Sequence, residues 1–323
     1  MLVDSKEGRM KQEDESILEI KNPHDKLFKL VFGDVGNLAD FMRSNLPENL
    51  TANMDLESLE IVPGSYLEED FTDNFNDLLA RVKIRDGMLE IYFLFEHKSS
   101  YEPDSPWQIL RYMARQWKKD LQENKTFAPI VPVLFCHAGK KWEYQTFSVL
   151  FPGFPEIFLE YIPKFQYILH DIAGIPDNEI KGGTLVRLVQ ILMKDATSGR
   201  LKEKVSILGK SLQEIERMKS GRYWTEIIIR YIMRVEQISY DVLREEFRKG
   251  KFLFGEEIVM KTLEEVRQKA RREGREQGLE KGIEQEKLET ARRMKAKGLP
   301  VADILEFTGL TREKLREAGL LES

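Results

Sequence analysis

Residues 77–98 read DLLARVKIRDGMLEIYFLFEHK and carry the most informative pattern of the chain. Asp86 and Gly87 are typical of a two-residue hairpin turn, because both central positions of such a turn favour positive φ. Counting outward from that turn places Asp77 directly opposite Glu96. Side chains alternate between the two faces of a strand, so Lys98 shares the face of Glu96. The stretch therefore predicts one β-hairpin that ends in two carboxylates and an amine.

The same register separates apolar from polar side chains, which supports it. One face of the hairpin is entirely apolar, and we expect it to lie in the core: Leu78, Ala80, Val82, Ile84, Leu89, Ile91, Phe93 and Phe95. On the other face Lys83 pairs with Glu90 and Arg81 pairs with Tyr92, which are favourable cross-strand partners.

The three polar residues at the end of the hairpin favour metal-dependent chemistry. Opposing Cβ atoms lie about 5 Å apart, so Asp77 and Glu96 could bind one divalent cation, whose bonds to oxygen are about 2.0 to 2.6 Å long. Such a cation acidifies a water molecule and neutralises the phosphorane, while the Lys98 ammonium steadies the attacking hydroxide or the scissile phosphate. The pattern favours phosphodiester hydrolysis. The alternative is that Asp77 only opens a strand and that Glu96 and Lys98 are a solvated edge pair.

The neighbouring elements can be predicted from apolar spacing. Pro23 fits the first turn of a helix that we expect to run to about Asn45. A short strand at residues 59–62, the hairpin, an amphipathic helix at 106–117 and a buried strand at 129–136 follow. The predicted order is helix, three strands, helix, strand. Residues 147–167 have no predicted element type, and the pattern becomes helical from Asp177 onward.

Four segments resemble the recombination-promoting nuclease family, also described as transposases, within the PD-(D/E)xK superfamily. They are His24-Asp25, Asp77-Leu-Leu-Ala-Arg-Val, Phe95-Glu96-His97-Lys98-Ser-Ser and Leu110-Arg-Tyr-Met, within a likeness that covers about residues 20–260. The resemblance implies an α/β, restriction-endonuclease-like core followed by a mainly helical C-terminal region. It also implies that Asp77 and Glu96 are the two acids of the motif and that Lys98 is its lysine.

The resemblance further implies a cofactor, Mg²⁺ or Mn²⁺, held by Asp77, Glu96 and the backbone carbonyl of His97. Two departures from the family pattern stand out. Asn76 replaces the proline of the superfamily name, and many relatives carry Gln at the position of Lys98. Neither difference removes a metal ligand.

Two further residues are candidates for catalysis. The resemblance suggests that Asp25, on the first helix, faces the site as an additional acid. The alternative is an acid at a helix start that interacts with the helix dipole. Gln108, on the helix after Lys98, could orient Lys98 or contact the phosphate; the alternative is an exposed glutamine on a helix surface.

The net charge of -5 over 323 residues does not by itself indicate nucleic-acid binding. Local charge is more informative, because the helix after Lys98 carries four basic residues at helical spacing, flanked by Trp107 and Trp117. These four residues, here called the basic stripe, are Arg111, Arg115, Lys118 and Lys119. The basic stripe predicts a surface that follows DNA phosphates; a solvated helix face is the alternative.

The single cysteine, Cys136, excludes an intramolecular disulfide and lies in an apolar strand, so we expect it in the core. The N-terminal residues lack the apolar region of a signal peptide, and no apolar run approaches the length of a membrane span. The sequence is typical of a soluble cytoplasmic protein.

The chain divides into five predicted parts: a flexible leader (1–21), a nuclease core (22–170), a helical region (171–261), a charged helical oligomerisation segment (262–297) and a small helix-turn-helix-like tail (298–323). In the fourth part Ala270, Gly274, Gly278 and Gly282 recur every four residues. A glycine inside a helix costs about 1 kcal/mol relative to alanine, so we expect a compensating helix contact between copies of the chain. A charged connector is the alternative. In the tail, Thr311 is a candidate helix cap, and the tail either reads DNA or is a packing module.

The sequence thus predicts a metal-dependent DNA endonuclease linked to recombination, transposition or defence against mobile elements, with DNA and further copies of the chain as partners. The alternative is a noncatalytic DNA-associated assembly protein that retains the nuclease fold. No phosphate-binding loop, paired C-x-x-C or G-x-S-x-G motif competes with this interpretation.

Overall fold

The structure is a computed structural model that describes residues 22–62, 78–84, 87, 89–236, 240–249 and 252–321. Two of the predicted turn and site residues, Asp77 and Asp86, lie outside the described residues, as does the predicted leader. The chain forms two compact units, Met1–Val259 and Met260–Ser323.

The described elements follow the predicted order from the first helix to β4. They are α1 (Pro23–Phe32), α2 (Val35–Asn45), α3 (Glu48–Thr51), β1 (Met54–Ile61), β2 (Leu78–Ile84), β3 (Glu90–Lys98), α4 (Ser105–Gln122), β4 (Ile130–Cys136), a 3-10 turn (Phe147–Leu150), α5 (Glu156–Leu159), β5 (Ile168–Asp171), α6 (Thr184–Ser198), α7 (Leu201–Glu216), α8 (Gly221–Glu236), α9 (Tyr240–Lys249), α10 (Gly255–Ala296), α11 (Val301–Thr308) and α12 (Arg312–Glu317). The helical character predicted from Asp177 onward is confirmed, whereas β5 was not predicted.

The prediction of one continuous helix from Pro23 to about Asn45 is wrong. The chain breaks at Gly33 and Asp34, where Asp34 has extended backbone angles of φ -82° and ψ 123°. Its Oδ1 accepts a hydrogen bond from the amide of Asn37 at 3.0 Å. A side chain that caps the first turn of α2 needs this non-helical backbone, so the cap also separates α2 from α1.

The sheet has the strand order β1-β2-β3-β4-β5. The first three strands are antiparallel, and β3, β4 and β5 run parallel. The predicted hairpin register is confirmed, because Leu78 pairs with Phe95 and Lys83 pairs with Glu90. Gly87 has a φ of 73°, the positive value that the turn was expected to require.

One face of the hairpin lies in the main core with α1, α2, α6 and α8, as predicted. The buried side chains on this face are Leu78, Ala80, Val82, Phe93 and Phe95. Leu89 is an exception to the prediction, since it is 62% exposed beside the turn at the end of the hairpin. Ile84 and Ile91 are half-buried.

The opposite face of the sheet is covered by α4. Leu79, Tyr92 and Leu94 pack there with Ile109 and Met113 in a second apolar cluster. The same cluster contains Cys136, which is fully buried as predicted. Because α4 covers this face, polar residues at the end of β3 lie between the sheet and a helix.

The second unit has its own small core. Ala291 of α10 packs with Ile304, Leu310 and Leu315. Thr311 caps α12 as predicted, since its side chain accepts a hydrogen bond from the amide of Lys314 at 3.3 Å. In the part of the chain that the structure describes, no helix is long and apolar enough to cross a membrane.

Candidate active site at the end of β3

Glu96 and Lys98 point from the end of β3 toward the side of the sheet that α4 covers. Glu96 is 2% exposed and Lys98 is 8% exposed. Lys98 Nζ lies 2.9 Å from Glu96 Oε1. The alternative of a solvated edge pair therefore does not hold, because both charges are buried and are held against each other.

Two residues from the chain that follows β3 complete the surroundings of Lys98. Its Nζ donates to Glu102 Oε2 at 2.7 Å and to Gln108 Oε1 at 2.6 Å. Gln108 lies in the first turn of α4, which has a proline among its first two positions, an arrangement that fixes a helix start. An ammonium group has three N–H donors, and Glu96, Glu102 and Gln108 supply three acceptors. Gln108 is therefore placed where the sequence suggested it could orient Lys98.

Glu102 was not among the residues singled out from the sequence. Its Oε2 also accepts a hydrogen bond from Gln108 Nε2 at 3.2 Å, and Gln108 Nε2 donates to Asp104 Oδ2 at 3.1 Å. Glu102 reaches Lys98 only because the chain reverses between β3 and α4. Ser99, Ser100 and Pro103-Asp104 are turn-forming residues, but they do not specify which side chain the turn brings to Lys98.

The charge of Lys98 is set by its neighbours. Burial lowers the pKa of Lys98, but the charge of Glu96 and the hydrogen bonds to Glu102 and Glu96 outweigh burial and raise this pKa to about 12. Lys98 is therefore an ammonium at neutral pH. In this state it acts as a fixed positive charge and a hydrogen-bond donor, not as a base.

Glu96 has one oxygen available for a cation. Its Oε1 contacts Lys98, whereas its buried Oε2 has no hydrogen-bond partner among the residues that the structure describes. A buried polar atom without a partner is rare and calls for a ligand or water. Carboxylate oxygens are the ligands that Mg²⁺ prefers, so Glu96 fits such an ion. The described part of the chain contains no group of three or more His, Cys, Asp or Glu arranged to hold a metal, and Asp77 lies outside it.

Asp25 lies on the other face of β3. Its Oδ1 is 2.9 Å from Nδ1 of His97, and Nε2 of His97 is 2.8 Å from Nε2 of His137. His24 makes a separate contact at 2.8 Å between its Nδ1 and the hydroxyl of Tyr231. The structure thus brings Glu96, Lys98 and Gln108 together on one face of β3. Asp25 lies on the opposite face, against the ring of His97.

Burial controls the protonation of Asp25, His97 and His137. Desolvation, followed by the charges of His24, Lys98 and Lys29, lowers the pKa of His97 well below its ordinary value. Burial likewise lowers the pKa of His137. Burial raises the pKa of Asp25 to about 6 against the opposing charges of Lys29, Lys98 and His24. Both rings are neutral at pH 7, so each has one donor and one acceptor nitrogen.

The basic stripe lies on the surface of α4. Arg115, Lys118 and Lys119 are exposed and Arg111 is half-buried, with its guanidinium 5.5 Å from the centre of the Tyr112 ring. Of the two flanking tryptophans, Trp107 is exposed, whereas Trp117 donates its indole N–H to the carbonyl of Ala128 at 2.9 Å. Trp117 therefore anchors α4 to the chain before β4.

Comparison with known proteins identifies the family to which the chain belongs. Residues 22–222 match the model of the family described as "Putative transposase, YhgA-like". The chain is 26% identical over 308 residues to the recombination-promoting nuclease RpnA of Escherichia coli (strain K12), covering 92% of this chain and 97% of the relative. It is 28% identical over 175 residues to the recombination-promoting nuclease RpnD of Escherichia coli O157:H7, covering 53% of this chain and 67% of the relative.

A third relative is named as inactive. The inactive recombination-promoting nuclease-like protein RpnE of Escherichia coli (strain K12) is 28% identical over 176 residues, covering 54% of this chain and 58% of the relative. No solved structure matches the chain. The family match covers more than half of the chain and includes every described element from α1 to α7, together with Glu96, Lys98 and Gln108. The chain therefore belongs to the YhgA-like transposase family and is homologous to the recombination-promoting nucleases.

Proposed function

We propose that the protein is a metal-dependent DNA endonuclease that hydrolyses phosphodiester bonds. The observation that carries the proposal is the buried Glu96 carboxylate, which has one oxygen against Lys98 and the other without a partner among the described residues. A buried carboxylate beside a buried ammonium is a costly arrangement that functional sites retain. The nuclease names of the relatives support the same chemistry.

The proposed ligands of Mg²⁺ or Mn²⁺ are Glu96, Asp77 and the backbone carbonyl of His97. When bound, the cation supplies Lewis-acid stabilisation of the negative charge that develops on the phosphate. The ring of His97 is not proposed as a ligand, because both of its nitrogens already contact Asp25 and His137.

Lys98 is proposed to bind the scissile phosphate or the attacking water. All three of its donors are matched by acceptors, so it must exchange one acceptor for the substrate. Glu102 is the partner suited to leave, because it lies in the connection between β3 and α4 and its side chain is 37% exposed. Gln108 then keeps the ammonium in place. Asp25 is proposed to act indirectly, since its described contact is with His97.

DNA is the proposed substrate, and the basic stripe on α4 is the proposed surface for its phosphates. The stripe and Gln108 share one helix, so a strand that follows Arg111, Arg115 and Lys118 is led toward Lys98. We further propose a role in recombination, transposition or defence against mobile elements, in keeping with the names of the relatives.

Self-association through α10 is part of the proposal. A Cβ atom added at Gly274, Gly278 or Gly282 would meet nothing within 4 Å in the single chain, so no described contact within one copy requires glycine there. Leu279 and Ile283 of the same segment are exposed. Glycines that lower helix propensity beside exposed apolar residues favour contact with a second copy.

A second candidate is a noncatalytic, DNA-associated assembly protein that retains the fold. The observation that favours it is the relative RpnE, which is named as inactive and is as similar to this chain as RpnD, which is named as a nuclease. In that case the buried Glu96 and Lys98 would only stabilise the end of β3.

Cleavage of supercoiled plasmid with Mg²⁺, with Mn²⁺ and with a chelator separates the two candidates. We expect cleavage by the wild type with either metal, strong loss in Asp77→Ala, Glu96→Gln and Lys98→Met, and no loss in the control Glu156→Gln, which changes an exposed carboxylate of α5. Calorimetry should show weaker Mn²⁺ binding for the two acid variants and near-normal binding for Lys98→Met. Wild-type activity in Asp77→Ala would refute the site, and an inactive wild type on plasmid, linear and single-stranded DNA would favour the second candidate.

A further inference from the structure

His97 lies between Glu96 and Lys98 in β3 but points to the opposite face of the sheet. Its ring is buried, and both ring nitrogens are engaged: Nδ1 by Asp25 at 2.9 Å and Nε2 by His137 at 2.8 Å. A ring with two partners on opposite edges has one allowed orientation. The peptide units on either side of His97, which carry Glu96 and Lys98, are restrained with it.

Asp25 and Phe28 of α1 hold the ring of His97 from two directions. They lie three positions apart on the helix and so project from the same side of it. Asp25 contacts the edge of the imidazole, while the ring of Phe28 stacks on its face with centroids 4.8 Å apart and planes at 19°. The first helix thus fixes both the position and the tilt of His97.

His137 contacts the same segment twice. Its ring reaches Nε2 of His97, and its backbone amide donates to the carbonyl of Lys98 at 3.1 Å. Its own carbonyl accepts a hydrogen bond from the hydroxyl of Thr197 in α6 at 2.6 Å. The residue after β4 therefore ties the end of β3 to the helical layer.

This group of polar side chains is expensive to bury. Asp25, His97 and His137 are all at most 9% exposed. Apolar side chains of the same size would pack there without the desolvation cost of polar groups. A buried polar network instead specifies one arrangement of the residues that it connects.

We infer that Asp25 and His137 are positioning residues, which hold the ring of His97 and thereby fix the main chain that presents Glu96 and Lys98. This inference rests on the proposed function, because the segment that they fix is the proposed active site. Neither residue is proposed to contact the metal or DNA. Some residues do not bind a metal themselves but orient its ligands. Removing such a residue typically lowers metal affinity or activity by about 10- to 100-fold.

Amide hydrogen exchange of residues 93–98 tests the inference without a measurement of catalytic activity. We expect Asp25→Ala and His137→Ala to raise the exchange rate of this segment by about tenfold, the size expected for the loss of one buried hydrogen bond. Asp25→Asn and His137→Gln keep an acceptor and a donor, respectively, and should stay close to the wild type. Val31→Ala is the matched control, because it removes buried apolar volume from α1 and should not raise exchange selectively in residues 93–98.

Equal exchange at residues 93–98 in the alanine variants and in Val31→Ala would overturn the inference. If the alanine variants do not fold, His97→Phe replaces them, since it keeps a ring against Phe28 and removes both hydrogen bonds; unchanged exchange in that variant would overturn the inference equally.

Mn²⁺ titration and cleavage kinetics test whether the positioning residues affect the proposed active site. Asp25→Ala and His137→Ala should weaken Mn²⁺ binding or lower kcat by about 10- to 100-fold with little change in DNA affinity, and Asp25→Asn and His137→Gln should recover most of the loss. A wild type that neither binds Mn²⁺ nor cleaves DNA would refute the proposed function, whereas the exchange experiment decides the positioning role separately.

Discussion

Replacing Lys98 with methionine removes one charge from the buried end of β3. Methionine keeps the unbranched apolar stem and loses only the ammonium. The carboxylate of Glu96, which is 2% exposed, then has no cationic partner among the described residues. We expect this variant to lose stability as well as activity.

The size of the loss follows from the structure. The pKa of Lys98 is raised from 10.5 to about 12, and a shift of this size corresponds to about 2 kcal/mol of stabilisation of the charged form. Breaking a buried ion pair by removing one partner costs about 3–5 kcal/mol. Glu102 and Gln108 are partly exposed and can bind water instead. We therefore expect the free energy of unfolding to fall by about 2–5 kcal/mol.

Urea unfolding in the presence of a chelator measures this loss. Tryptophan fluorescence is a suitable probe, because all four tryptophans of the chain belong to the first unit. The control Lys119→Met removes an exposed charge from α4 and should change the free energy of unfolding by less than about 0.5 kcal/mol. The double variant Glu96→Gln with Lys98→Met should regain more than half of the loss, since it no longer buries an unpaired carboxylate.

Magnesium extends the same experiment to the proposed metal site. A ligand that binds only the folded state stabilises it by mass action, so millimolar Mg²⁺ should stabilise Lys98→Met and should have little effect on the double variant. The reasoning is refuted if Lys98→Met is as stable as Lys119→Met, or if the double variant is as unstable as Lys98→Met alone.

Replacing Arg111, Arg115 and Lys118 with glutamine should weaken DNA binding and reduce the slope of log affinity against log salt by about 3, because fewer counterions are released. Fluorescence anisotropy at several salt concentrations measures this slope. An unchanged slope would show that the basic stripe is only a solvated helix face. Light scattering should show that Gly278→Leu changes the assembly mass more than Gly278→Ala does, because leucine blocks close approach of helices; equal masses for the wild type and both variants would show that α10 is a connector. Acidification from pH 7.5 to 5.5 should lower the free energy of unfolding by at least about 2 kcal/mol, measured by urea unfolding at both pH values. Burial lowers the pKa of all four histidines, His24, His97, His137 and His170, so their stabilisation is present above pH 6.5 and lost below it. Asp25, whose pKa burial raises to about 6, offsets part of the loss as the pH falls through 6; an unchanged or higher stability at pH 5.5 would contradict this.

The hairpin, its register and the side of β3 that carries Glu96 and Lys98 were all predictable from residues 77–98. These features depend on local rules: the conformational preference of the turn at Gly87 and the alternation of side chains along a strand. For the same reason the start of α4 and the cap at Thr311 were readable from a few neighbouring residues. The break between α1 and α2 was also local, but the helical spacing of the apolar residues continues across it and concealed the cap at Asp34.

The surroundings of the site could not be predicted in this way, because they depend on contacts between distant parts of the chain. Burial of Glu96 and Lys98 requires α4 to fold over the sheet. The turn residues between β3 and α4 do not specify that Glu102 reaches Lys98. Asp25 and His97 are 72 positions apart, and His97 and His137 are 40 positions apart. Contacts over such separations depend on which helix packs against which face of the sheet, and hydrophobic periodicity identifies a buried face without naming its partner.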